Sequence, residues 1–489
     1  MDVLLINPNP GGSGLNESTI EPPIGLGYIA AILEKNSFEC KIIDANVLRL
    51  TNEEIIKEIP AVTKIVGFYL NSFSFNSVKE LTEMIRKKAP NTLIMLGGPL
   101  PTAAPEIALR EISCDGIIRG EGEYSCLMIV TNLHSDRHHF KGDIPGLAFL
   151  GPDNSITYNA IQRIDDLDKL PFPSYHMYPH MRKYKSRSRK KPLAAIVTSR
   201  GCPYQCSFCS KDIFQNKMTI RSAKNVLEEI DSLVKEHGVK QIDILDDNFA
   251  LNKKRLKDIL NGLIQRKYDL VFNLQSGITA EVLDDEILKM MKEAGVYKLS
   301  FGIESADEEL LRLHKKKINL KKIEKVVKTA KKMNFLTYGF FIVGLLGETE
   351  EGFNRTLDFA RKIDLDVANF CMAVPFIGTG LYRMVEEQGQ FIIDTSRNID
   401  SGFYDNKAFY IYGAYSEGDI VGRYQRAYKE FYTVRKQLKI VAKIRSIYEV
   451  EWLIGSFCFV IKGMLRKRIK SIFSRGNNKH IRKVTKDCL

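Results

Sequence analysis

Three cysteines, Cys202, Cys206 and Cys209, lie close together in Ser199-Arg200-Gly201-Cys202-Pro203-Tyr204-Gln205-Cys206-Ser207-Phe208-Cys209. Thiolates at such short spacing suit zinc or an iron–sulfur cluster. A structural zinc site takes four ligands. No fourth Cys or His lies nearby, and the next cysteine is Cys371. Three thiolates on a four-iron cube leave one iron open, and an open iron can bind a substrate or cofactor directly. The competing explanation is three buried thiols on a core strand. Gly201 and Pro203 argue against it, because that pair makes a turn. Cys40, Cys114, Cys126, Cys371, Cys458 and Cys488 read as structural or incidental. Nine cysteines in 489 residues are too sparse for a disulfide framework. The eight histidines show no metal-binding spacing, and His138-His139 reads as a solvated loop pair.

The cysteine loop must be held by a scaffold, and an αβ rhythm begins just before it at Leu193. Strands are expected at Leu193–Ser199, Gln241–Asp246, Val271–Gln275, Tyr297–Ile303, Phe335–Val343 and Val367–Pro375, with helices between. Ser222 is an N-cap for a helix that Gly238 ends. Six βα units fit a partial barrel better than a closed eight-fold one. The loop then sits at the carboxyl end of the first barrel strand, where Asp246 and Asp247 at the end of the second could also reach. Those two acids are weak catalytic candidates, with a solvated loop as the alternative. Tyr69 and Tyr338 read as core residues before gap residues.

Residues 1–135 carry an earlier rhythm of the same kind. Strands are expected at Val3–Asn7, Lys41–Asp44, Ile65–Leu70, Thr92–Leu96 and Asp115–Ile118, with helices including Ile24–Lys35, Asn76–Lys88 and Glu123–Leu133. This pattern implies a doubly wound, Rossmann-like α/β domain with a parallel sheet. Ligands bind beyond the carboxyl ends of such strands. Turn-forming residues crowd those ends at Asn7-Pro8-Asn9-Pro10-Gly11-Gly12, Asn71-Ser72, Gly97-Gly98-Pro99 and Gly120-Glu121-Gly122-Glu123, which reads as a binding rim.

Residues 136–192 lose periodicity and read as a connector, the barrel spans 193–400, and 401–489 reads as a basic helical region. The formal net charge is +13, and from Val421 onward 18 Lys and Arg stand against 4 Asp and Glu. The rest is therefore near neutral. The stretch Trp452–Ile461 is apolar nearly all round, and Lys462, Arg466, Lys467, Arg468 and Lys470 follow it. That pattern suits a helix lying in an anionic membrane interface and is too short to span. A helical bundle packed on the barrel is the alternative. Nucleic-acid binding is disfavoured because the strip is aliphatic. The N-terminus has no basic n-region, so a cytoplasmic protein is expected, with peripheral contact at the inner membrane face.

The C-x-x-x-C-x-x-C spacing, with Phe208 before the last cysteine, resembles the radical S-adenosylmethionine enzymes. The resemblance covers roughly 193–400 and implies a partial (β/α)6 barrel with a 4Fe–4S cluster on Cys202, Cys206 and Cys209. The open iron would chelate S-adenosylmethionine, with Phe208 near its adenine. Leu299-Ser300-Phe301-Gly302-Ile303-Glu304-Ser305 is similar to the strand whose glutamate holds the cofactor ribose, which carries Gly302 and Glu304 over as binding residues. Phe341-Ile342-Val343-Gly344-Leu345-Leu346-Gly347 resembles the adenine-contact motif, which carries over Gly344. Leu346 stands where a proline is usual, and Thr279 stands where an arginine is common. Val374-Pro375-Phe376-Ile377-Gly378-Thr379 resembles the end of the sixth strand.

In the first domain, Pro22-Pro23-Ile24-Gly25-Leu26-Gly27-Tyr28, Gly97-Gly98-Pro99 and Arg119-Gly120-Glu121-Gly122-Glu123 resemble the cobalamin-binding domain fused to many such enzymes. Gly97, Gly98, Gly120 and Glu121 are the cofactor-binding residues this implies. Leu100 stands where many relatives have histidine. No histidine precedes His134, so the strand-end loops of this domain offer no lower imidazole ligand to cobalt. The resemblance implies a C-methyltransferase: a 5′-deoxyadenosyl radical abstracts hydrogen from an unactivated carbon, which then takes a methyl group from cobalamin. The substrate would be a small molecule or lipid, and the electron donor flavodoxin- or ferredoxin-like. Oxidative cyclisation of the anaerobic porphyrin type would use the same residues. A tRNA methylthiotransferase would need a second cluster on Cys40, Cys114 and Cys126. A non-catalytic cobalamin or cluster sensor is the remaining alternative.

Overall fold

A computed structural model describes residues 1–10, 20–135, 142–186, 188–397, 399 and 406–454. Gly11-Gly12, His138-His139 and the tail from 455 onward lie outside the described residues.

The first sheet is built from β1 (Val3–Asn7), β2 (Cys40–Asp44), β3 (Ile65–Tyr69), β4 (Leu93–Gly97) and β5 (Gly116–Ile118). These strands are parallel, in the order β2-β1-β3-β4-β5. Side chains alternate across each strand, and both faces are buried. Leu4 and Ile6 enter one core with Phe68, Phe75 and Leu81. Val3 and Leu5 enter another with the helices Ile24–Lys35 and Glu123–His134. The strand order reverses between β1 and β3, which opens a crevice beyond Asn7 and Tyr69.

The stretch read as a connector does more than connect. β6 (Leu147–Leu150) and β7 (Ile156–Tyr158) extend the first sheet antiparallel from β5. Tyr175 then donates to the Ala195 carbonyl at 3.0 Å, and Tyr184 to Asp44 at 2.8 Å, which braces the first sheet against the barrel.

The barrel strands are β8 (Leu193–Ile196), β11 (Gln241–Ile244), β12 (Val271–Leu274), β13 (Val296–Glu304), β14 (Leu336–Val343) and β15 (Val367–Met372). Among the described residues they form a six-stranded sheet in the order β15-β14-β13-β12-β11-β8, with every adjacent pair parallel. Two short strands, β9 (Ser199–Arg200) and β10 (Thr219–Ile220), pair antiparallel and close off the cysteine loop between them. Ser222 caps the next helix by accepting from Asn225 N, and Gly238, at φ +62°, ends it.

Beyond β15, the pair β16 (Gly389–Phe391) and β17 (Tyr410–Tyr412) leads into the helix Glu417–Phe431. That helix buries Ile420, Ala427 and Phe431, with the Phe431 ring 6.0 Å from Phe370 on β15. The helix Val434–Val441 follows and buries no residue. Glu449 then pairs with Arg189 at 3.4 Å, beneath the amino ends of the strands. One apolar cluster runs through the first sheet, the brace and the barrel, so the two αβ units share a core. No helix among the described residues is long and apolar enough to cross a membrane.

Candidate functional site

The cysteine loop leaves β9 through Gly201, whose φ is +81°. A Cβ there would collide with the Lys217 carbonyl oxygen, so only glycine fits. Gly201 N donates to Asp247 at 3.0 Å. Cys202, Cys206 and Cys209 carry free thiols. Burial pushes the Cys206 and Cys209 thiols up, while the Lys316 ammonium opposes this at Cys206 and Lys211 opposes it at Cys209. A bound metal deprotonates its thiol ligands, and these two lysines favour the thiolate form. Among the described residues no three His, Cys, Asp or Glu side chains converge on a single metal ion. Four-ligand zinc has no such set here. Thiolates on an iron–sulfur cube each take a different iron and need not converge, so three soft donors on one turn fit the cube.

The loop is held by segments that follow two further barrel strands, β13 and β15. Ser207 N donates to the His314 carbonyl at 3.0 Å, and Ser207 Oγ contacts His314 Nδ1 at 2.6 Å. His314 Nε2 reaches the Leu346 carbonyl at 2.9 Å. A carbonyl only accepts, which assigns Nε2 as the protonated nitrogen and Nδ1 as the acceptor. Burial lowers the pKa of His314 and favours this neutral form. Leu381 N donates to the Ser207 carbonyl at 2.8 Å. Phe208 lies beside His314, ring centroids 6.2 Å apart. His314 thus joins the cysteine loop to the Gly344–Gly347 turn. As an isolated histidine, it has no signal in the sequence.

Glu304 ends β13 at φ +66°, where the β13–β14 register slips between Gly302 and Glu304. A left-handed non-glycine residue stores strain that the surroundings must hold. Its buried carboxyl is raised by desolvation and opposed by Lys316, 3.3 Å away. Gly302 makes room, since a Cβ there would lie 2.7 Å from Glu304 Oε1. Lys316, which the sequence reading missed, is therefore shared between Glu304 and the thiols, and these anionic partners raise its pKa despite burial. Gly344, at φ +79°, donates its N–H to Glu348 at 2.8 Å, and its Cα faces Ile420.

Between the carboxyl ends of the two sheets lies a cavity of about 540 Å³. Asn7, Tyr69, Asn71, Gly97, Gly98 and Gly120 line it from the first sheet, and Ser199, Arg200, Leu245 and Asp247 from the barrel. Gly98, at φ +115°, has no room for a Cβ, which would lie 2.8 Å from the Leu70 carbonyl. A glycine-lined crevice at the switch point suits a large planar cofactor lying on the backbone. No histidine lines the cavity among the described residues.

Two of the expected site residues are engaged by neighbouring elements. Asp246 is not a solvated loop acid. It is buried and accepts from Thr198 N at 2.6 Å, Thr198 Oγ1 at 2.5 Å and Ser199 Oγ at 2.6 Å, which locks β11 to β8. Asp247 keeps its place on the cavity wall, raised by burial. Glu121 borders the cavity, but its carboxylate is engaged by Arg200 at 2.7 Å, by Arg163 at 3.0 Å and by Ile164 N at 3.0 Å. Glu123 takes the other arm of Arg200 at 2.6 Å. Glu121 therefore ties the rim to the strand that enters the cysteine loop while it also lines the cavity. Cys40 and Cys126 pack in one core and Cys114 in the other, on the opposite face of the sheet, each thiol pushed up to about 12 by burial.

Glu21 is a further residue that sequence reasoning missed. It lines the cavity, accepts from Gln275 Nε2 at 2.5 Å, and is pushed up to about 8 by burial and by Asp243.

A family model described as the radical SAM superfamily matches residues 196–360, and one described as the B12 binding domain matches 16–129. The chain is 36% identical over 390 residues to an uncharacterized methyltransferase of Pyrococcus horikoshii, covering 78% of this chain and 83% of that protein. It is 27% identical over 441 residues to the cytidylyl-2-hydroxyethylphosphonate methyltransferase of Streptomyces wedmorensis, covering 79% and 82%. A solved cobalamin-dependent S-adenosylmethionine radical enzyme, OxsB, superposes with a TM-score of 0.72 over 93% of this chain and 72% of that one, at 18% identity. That likeness shows the fold alone. With both domains matched and a relative at this identity matched over most of both chains, the chain belongs to the cobalamin-dependent radical S-adenosylmethionine methyltransferase family, whose cofactors are an iron–sulfur cluster, S-adenosylmethionine and cobalamin.

Proposed function

We propose that the chain methylates an unactivated carbon of a small-molecule or lipid substrate. The observation that carries this reading is a cavity between two sets of strand ends, with a glycine rim on one side and, on the other, Ser199 and Arg200, the strand residues that lead directly into the cysteine loop. When bound, the cluster and S-adenosylmethionine supply a hydrogen-abstracting radical, and cobalamin supplies the methyl group.

The chain's own residues bind and orient. Cys202, Cys206 and Cys209 hold the cluster, and Ser207 and His314 fix the turn that carries them. Glu304 accepts from the ribose hydroxyls, and Lys316 balances its charge. Phe208 and Gly344 border the adenine. Gly97, Gly98 and Gly120 would let a corrin approach the backbone, and no histidine lines the cavity among the described residues. The apolar wall around the gap keeps water from the reacting carbon. A flavodoxin- or ferredoxin-like donor supplies the electron. A cytoplasmic location belongs to the same reading, since a low-potential donor of this kind works in a reducing compartment.

Anaerobic reconstitution with iron, sulfide and cobalamin, followed by mass analysis of products from a host-extract fraction, tests the proposal. It expects a mass gain of one methylene. Loss of hydrogens without that gain means cyclisation or oxidation and overturns it.

A further inference from the structure

The helix Val434–Val441 is turned inside out. Lys436 faces the protein and pairs with Asp364 at 2.6 Å, as Lys443, just beyond the helix, pairs with Asp366 at 2.7 Å, at the amino ends of the barrel strands. Its apolar side chains face outward, with Val434 74%, Leu438 65% and Val441 57% exposed. The ridge continues at Ile447, 68% exposed, and Ile454, 58% exposed. A surface helix ordinarily turns its apolar stripe inward, and a contiguous exposed stripe marks a contact surface.

The charges around the ridge select among covers. Arg435, Lys439 and Arg445 are exposed beside it. A second copy docking ridge to ridge would oppose these cations with its own. Residues 455–489 carry ten Lys and Arg against one Asp, so the chain's own tail has the same sign as the ridge. An anionic bilayer offers apolar depth and negative charge together.

We infer that the amino end of the barrel docks on an anionic phospholipid surface through Val434, Leu438, Val441 and Ile447. Residues 455–473 continue the same mixture, with Phe457, Phe459, Ile461, Leu465, Ile469 and Phe473 among basic residues. The docking end lies opposite the cysteine loop, which occupies the carboxyl ends of the strands, so the cofactor cavity stays clear. The inference stands apart from the methylation reading.

The test is co-sedimentation of the full chain with vesicles of phosphatidylcholine plus phosphatidylglycerol, and of phosphatidylcholine alone. The wild type is expected to bind the anionic vesicles and to lose binding as salt rises. The double variant Leu438→Glu with Val441→Glu removes apolar area without touching the core, and its partition should fall about tenfold or more. A wild type that ignores anionic vesicles, or a double variant that binds them equally well, overturns the inference. So does a self-association of the wild type, seen by sedimentation velocity, that the double variant abolishes while vesicle binding persists. S-adenosylmethionine cleavage is measured on the same samples, so loss of membrane binding with cleavage retained overturns nothing in the methylation reading.

Discussion

Asp246 and Glu21 show how burial separates two acids that the chain composition treats alike. Asp246 accepts from three donors, and each of them loses its acceptor in Asp246→Ala. The expected cost is about 3 kcal/mol, read by urea unfolding. A cost under about 0.5 kcal/mol, as for an ordinary surface substitution, would contradict the structural role. Glu21 behaves differently. Burial and the neighbouring Asp243 push its carboxyl up to about 8 in the folded chain, against 4.5 for an unperturbed glutamate. The folded state therefore keeps a proton that the unfolded state releases. The stability linked to Glu21 is complete below about 4.5 and is lost as pH rises through about 8. Across that window the wild type should lose stability relative to Glu21→Gln, with the gap levelling off above it. Unfolding curves that run parallel at every pH would reject this assignment. The cysteines were legible because all three share one turn. Glu21, Lys316 and His314 were not, because a lone charged residue or histidine has no spacing to read until other strands bring it partners.

At the level of elements, the joint between the rim and the cysteine loop is ionic. Arg200 sits on β9, directly before Gly201, and holds Glu121 and Glu123 from the first domain while lying 4.8 Å from the Tyr28 ring. Removing one partner from a buried network leaves the others unpaired. Arg200→Ala should cost about 3–5 kcal/mol in thermal or urea unfolding and weaken hydroxocobalamin binding as followed by absorbance. Unchanged corrinoid affinity with unchanged stability would mean that the joint does not support the rim. The glycine–glutamate run was legible as a rim, but its arginine partner lies 79 residues away in sequence and could not be paired by eye. The parallel strands were legible because continuous apolar runs mark strands buried on both faces. β6 and β7 were not, because they are short, and β7 leaves Thr157 and Tyr158 exposed and breaks the apolar pattern. Within the region read as helical, the bounds of the helix Glu417–Phe431 were not legible. Gly418 and Gly422 weaken its amino half, although Ser416 and Asp419 form a capping box that marks the start.

For the whole molecule, two parallel sheets turn their carboxyl ends toward one cavity, and residues 434–449 pack at the opposite end of the barrel. Family resemblance made the pairing of domains legible. The facing arrangement required the brace at 142–186, whose tyrosines bond across both units. The most direct check on this arrangement is a single quantitation of iron, sulfide and corrin in the anoxically reconstituted chain, read with low-temperature electron paramagnetic resonance on reduction, for the wild type beside Cys206→Ala. The wild type should hold a 4Fe–4S cluster and a corrin together. Cys206→Ala should keep the corrin and lose the cluster signal. A wild type that takes up neither, or a variant that retains the full cluster signal, would contradict two cofactor sites meeting at one gap.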